Sequence, residues 1–151
     1  MFPADRNQLR AFYFKAWRKW CKRQPLEPLE ALVAEVVQEH PEYHAAVEAA
    51  AAGRSDDAST DVPGDGPSPF LHMGMHVALR EQHGADRPPG VRDVYERLVR
   101  AQGDRHQAEH AMMDCLGEAM WTAQRTGTEA DLNGYLGCLR RQLPGGALFS
   151  R

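Results

Sequence analysis

Apolar residues at the start of the chain recur at the spacing of a helix. Leu9, Phe12, Tyr13, Ala16, Trp17, Trp20 and Cys21 fall at i, i+3, i+4, i+7, i+8, i+11 and i+12, one broad stripe over about 4–22. Residues 24–28, with two prolines, end it. A second helix starting near Pro28 turns Leu29, Leu32, Val33, Val36 and Val37 inward. Pro41 either kinks that helix or opens a new one with His40 as its cap. Helical character resumes through His44 and Val47 to about Ala52. Ser68-Pro69 predicts the next start, with serine as cap and proline in the first turn, for a helix to about His83. A helix over 91–102 stops at Gly103. Asp104 with Gln107 reads as a capping box for a helix over 105–125, closed by Gly127. Residues 128–131 then cap a last helix to about Leu143.

Between these segments, residues 53–67 are rich in Gly, Ser, Asp and Pro and predict a flexible loop. The tail over 144–151 reads as loose. Period-two alternation is absent throughout, so no strand is predicted. The expectation is an all-α protein: one compact bundle of five to six helices over 1–143, with a C-terminal tail.

Composition narrows the class. With 42% hydrophobic and 26% charged residues the chain reads as an ordinary globular protein. No apolar run reaches membrane-spanning length, and no signal-peptide pattern opens the chain, so no membrane partner is expected. Three cysteines, odd in number and widely spaced, argue against a disulfide framework and for a reducing, cytoplasmic location. The net charge of −3 is uneven. Residues 1–24 hold seven Arg/Lys against Asp5 alone, which leaves the remainder at −9. This basic helix is either the dock for an acidic protein or nucleic acid, or simply a solvated face.

The histidines carry the chemistry. Residues 69–79 contain two polar side chains, His72 and His76, four apart on a helix apolar all round, hence expected to be buried on every side. Buried imidazoles need partners. Six of the seven histidines form His-x-x-x-His pairs, His40/His44, His72/His76 and His106/His110, where random placement gives about 0.3 such pairs. Two imidazoles one turn apart present two nitrogens to one metal ion. His106 and His110 lie opposite the main apolar stripe of their helix, with Met113, Gly117 and Trp121, and Asp114 is close by. Apolar groups on two sides predict a helix sandwiched within the bundle. The expected ligands are therefore His40, His44, His72, His76, His106, His110 and Asp114, for Zn, Fe, Mn or Ni.

The signature Glu-x-x-His of di-iron carboxylate bundles and the His-Glu-x-x-His of zinc proteases are both absent. The methionines at 73, 75, 112, 113 and 120 read as core filler, and Cys115 as an inert buried thiol. Gly74 is expected to admit a close backbone. Tyr43 either orients a ligand or packs.

Segments 40–44 (His-Pro-Glu-Tyr-His), 69–82 (with its His-Met-Gly-Met-His block), Asp86-Arg87-Pro88 and 108–121 resemble a bacterial family known only as domain of unknown function 1841. The likeness runs over nearly the whole chain. Ser68 stands where that pattern has Asn, and Asp114 where it has Glu, and neither change removes a potential ligand. The resemblance implies kinship and no activity. One histidine on an early helix with a later His-x-x-x-His is also similar, in spacing alone, to the metal triad of DinB-like bundles.

Two functional readings follow. The first is a metal-binding bundle, in which the ion could activate water or dioxygen for a small-molecule substrate. The second is a non-catalytic interaction module, with structural histidines and a docking basic helix.

Overall fold

The stripe of Tyr13, Ala16 and Trp17 winds into α1 (Arg6–Cys21), and these three side chains are buried. The structure, a computed structural model, describes residues 6–50 and 68–144. α2 (Pro28–Gln38) opens with proline in its first turn, and the Glu30 carboxylate reaches back to accept the amide of Glu27 at 2.9 Å. Its Val33, Val36 and Val37 are buried, and the helix packs on α1.

Pro41 has no amide to extend the ladder. α2 therefore stops, His40 takes non-helical angles (φ −126°, ψ 68°), and a single 3-10 turn (Pro41–Tyr43) leads into α3 (His44–Ala49). The fourth helix, α4 (Pro69–Ala85), starts as expected: the Ser68 hydroxyl accepts the amide of Leu71 at 3.2 Å.

The described residues fall into two compact units that divide between Val77 and Ala78, inside α4, where the sequence pattern predicts a single bundle. In the first unit, α1, α2 and α3 pack together, and Phe70, Met73 and Val77 of α4 join Tyr13, Trp17, Val36 and Val47 in one apolar cluster.

The second unit holds the end of α4, α5 (Val91–Gln102), α6 (Arg105–Thr126) and α7 (Leu132–Arg141). Gly103 and Gly127 close α5 and α6 with φ of 78° and 69°, a left-handed conformation that costs other residues more. The Asp104 carboxylate caps α6 by accepting the amide of Gln107. α6 packs against α5 and α7, and Leu98, Met112, Leu116 and Leu139 of these helices are buried. Full burial of a side chain such as Leu98 contributes roughly 2 kcal/mol.

The fold is all-α: seven α-helices and no strand among the described residues. No helix among them is long and apolar enough to cross a membrane. The loop expected at 53–67 and all but the first residue of the tail expected at 144–151 lie outside the described residues.

Several expectations are corrected. Cys115 is no free thiol: it is disulfide-bonded to Cys138, with Cα atoms 5.8 Å apart, which ties α6 to α7. Two cysteines 23 residues apart in sequence become neighbours because the consecutive helices α6 and α7 pack together. The bond removes the cysteine-based ground for expecting a reducing compartment. Of residues 128–131, Asp131 caps α7, accepting the amide of Gly134 at 3.0 Å. α4 is not buried all round, since Leu71 is exposed. α6 is not apolar-covered on both sides either, because Trp121 and Met120 face solvent, with the Arg125 guanidinium 4.9 Å over the Trp121 ring. Beside Gly74 lies the Tyr13 hydroxyl, a side chain rather than a backbone.

Candidate metal centre

Three imidazoles converge in the first unit. His72 and His76 project from one face of α4, as their spacing requires. His40 enters from the break between α2 and the 3-10 turn. The ring centroids are 5.0 Å apart for His72–His76, 5.1 Å for His40–His72 and 4.8 Å for His40–His76. Each ring offers a nitrogen within 4.8 Å of the other two. His40 is 1% exposed and His76 fully buried, while His72 is half-buried.

Hydrogen bonding sets which nitrogen His40 presents. Its Nδ1 lies 2.7 Å from the carbonyl oxygen of Val36, which can only accept, so Nδ1 is the donor. Nε2 then carries the lone pair of the neutral ring. This is the arrangement of metal-binding histidines, whose second nitrogen is fixed by a backbone carbonyl. The Tyr43 ring lies parallel to His40 (5.5 Å, 7°) and edge-on to His72 (6.0 Å). Burial, aided by the charge of Glu42, pushes the Tyr43 phenol above its usual pKa, so it stays a donor.

His44 is placed elsewhere. Its Nε2 donates to the carbonyl of Val37 at 2.8 Å, and its ring packs on Trp17 at 4.5 Å. The spacing of four suggested a helical pair with His40, but Pro41 breaks the helix between them, so the two rings do not share a face.

In the second unit, His106 and His110 stand one turn apart on α6, with ring centroids at 4.4 Å and an angle of 69°. Both are half-buried, and Asp114, a further turn along, is exposed.

A buried ion pair in this unit went unread in the sequence. Arg80, one turn beyond His76 on α4, grips Glu109 with two hydrogen bonds, Nε to Oε2 at 2.9 Å and Nη2 to Oε1 at 3.1 Å. The Tyr95 hydroxyl also donates to Glu109 Oε2. Burial first, and then the bond to Glu109, raise the Tyr95 phenol well above its usual range. The available signal was a charge at a core position: Glu109 sits between Ala108 and Met112, both on the buried face of α6. Glu109 directly precedes His110, so the ion pair fixes α6 at that histidine.

A family profile matches residues 5–141 of the chain. The chain belongs to the family described as domain of unknown function (DUF1841). The match spans every helix assigned above, together with both histidine-bearing units. No curated protein and no solved structure matches the chain. The family description carries no activity.

Proposed function

We propose that this protein binds a divalent transition metal ion through His40, His72 and His76. The observation that carries this reading is the meeting of three imidazoles from two separate stretches of chain, each with a nitrogen within 4.8 Å of the others. A shared ion about 2 Å from each nitrogen needs them about 3.3 Å apart, so closing by up to about 1.5 Å suffices. Side-chain rotation on that scale is small. Zn, Fe, Mn and Ni all accept imidazole. Three protein ligands leave a position open, through which a bound ion supplies Lewis-acid chemistry to water or a small-molecule substrate. In the second unit, His106 and His110, one turn apart on α6, are proposed with Asp114 as a further ligand set. His44 is left out of it, because its Nε2 is engaged by Val37.

Elemental analysis of protein purified without a histidine tag tests the proposal. The expected result is at least about one equivalent of metal, or uptake to that level on adding Zn, Fe, Mn or Ni. Less than about 0.1 equivalent, with no uptake, rejects it.

A second reading rests on α1 and the turn after it, where Lys15, Arg18, Lys22 and Arg23 are exposed. In it the histidines are structural and this basic surface docks an acidic protein or nucleic acid. Its mark is binding that weakens steeply with salt, in protein that takes up no metal.

A further inference from the structure

A cleft of about 280 Å³ opens beside the disulfide between α6 and α7. Cys115 and Cys138 both line it, but unequally: Cys115 is 1% exposed, whereas Cys138 is half-buried. A thiolate entering the cleft therefore reaches the Cys138 sulfur first. Thiol–disulfide exchange also depends on how well the leaving sulfur carries charge. Here the side-chain amide of Gln142 points an N–H at Cys115 Sγ, with Nε2 at 3.8 Å. That contact favours Cys115 as the leaving thiolate.

The cleft carries charges of both signs. Arg141 lies one turn beyond Cys138 on α7, and Glu118 and Glu129 stand on the same lining. Asp131 lines it too, but its carboxylate is engaged in capping α7. A lining of one guanidinium and two available carboxylates suits a molecule with a carboxylate and an ammonium group.

We propose that the Cys115–Cys138 disulfide is a thiol-exchange site whose cleft receives a small zwitterionic thiol. The incoming thiolate bonds to Cys138 Sγ. The Cys115–Cys138 bond breaks, its electron pair leaves on Cys115 Sγ, and that sulfur takes a proton from solvent. A second molecule of the thiol attacks the sulfur of the first and releases Cys138 as a thiolate. The two small thiols leave joined as a disulfide, oxidised by two electrons, and the protein disulfide is reduced by two. The same steps in reverse let a small disulfide reoxidise the pair. None of this depends on the metal proposal.

The test uses the full chain with reduced glutathione as the zwitterionic thiol and cysteamine, which lacks a carboxylate, as the control. Cys21 is exposed and free, so the folded protein starts with one reactive thiol. Glutathione is expected to raise the count to three, the full complement of cysteines, while circular dichroism stays helical. Trapping with iodoacetamide should catch the mixed disulfide on Cys138. R141A should slow the glutathione reaction about tenfold and leave the cysteamine reaction within about twofold, and R141K should recover most of the loss. A count that stays at one in folded protein overturns the proposal. So does reduction that proceeds only as the helical signal is lost, an adduct found on Cys115, or an equal effect of R141A on both thiols.

Discussion

The ring of His40 is oriented by the carbonyl of Val36, four residues earlier and one turn back on α2, through a 2.7 Å hydrogen bond from Nδ1. One break in a helix thus serves two ends. It lets the carbonyl of Val36 accept from His40 Nδ1 as well as from the Glu39 amide, and it sets the His40 ring beside His72 and His76 of α4.

This placement separates two histidines that look equivalent in sequence. H40A is expected to lower metal affinity at least about tenfold, the usual effect of losing a ligand or its support. H44A should leave affinity within about threefold while costing about 1–2 kcal/mol of stability through its lost bond to Val37 and its packing on Trp17. Calorimetric titration with Zn²⁺ and urea unfolding of both variants check this. Equal losses of affinity would dissolve the distinction.

On α4 itself, H72A and H76A should each destabilise the protein by about 2 kcal/mol or more, the larger loss falling on fully buried His76. H83A should cost under about 0.5 kcal/mol, because its 3.0 Å contact with Glu96 joins a half-buried ring near the helix end to an exposed carboxylate. Thermal melts of the three variants report this directly. Indistinguishable melting temperatures would contradict the burial pattern of α4.

Chelation tests whether the metal supports the fold. Metal bound only by the native state stabilises it by mass action. Treatment of metal-loaded protein with EDTA at pH 7.5 should lower the melting temperature, and added metal should restore it. A melting curve unchanged in protein shown to have lost its metal would separate binding from stability.

The buried pair of Arg80 and Glu109 should respond asymmetrically to substitution. Side-chain exposures of 3% and 0% leave a lone charge without solvent. E109L alone is expected to cost about 3–5 kcal/mol, because it removes the carboxylate that accepts from both the buried Arg80 guanidinium and Tyr95. Pairing it with R80M should recover most of that loss. Chemical denaturation of the two single variants and the double variant measures the coupling.

Alkaline pH should weaken the fold through its tyrosines. Burial pushes the Tyr135 phenol up to about 12, even though its hydrogen bond to Gln82 acts the other way, and Tyr95 is raised as well. A group whose pKa is raised in the folded state stabilises below its unfolded value, about 10, and loses that contribution as pH climbs through the folded value. The melting temperature should therefore fall between about pH 10 and 12. Absorbance at 295 nm should show late titration for these buried phenols. Y135F should flatten part of the pH dependence. Unchanged stability across that range would show both phenols free to ionise in the native state.

The helices were written in local residue patterns. Stripes of apolar residues, Ser68-Pro69, Asp104, Gly103 and Gly127 are local signals, because capping and helical periodicity act within a few residues. The pairing of His72 with His76 was equally legible, since four residues on an unbroken helix share a face. Relations between separate segments arose only once the helices packed. Pro41 turned the matching spacing of His40 and His44 into two different environments, one ring facing α4 and the other packed on Trp17. Arg80 and Glu109, 29 residues apart, became a buried pair, and Cys115 met Cys138 across two helices. No local rule encodes such meetings, because they depend on how helix faces pack once the chain has folded.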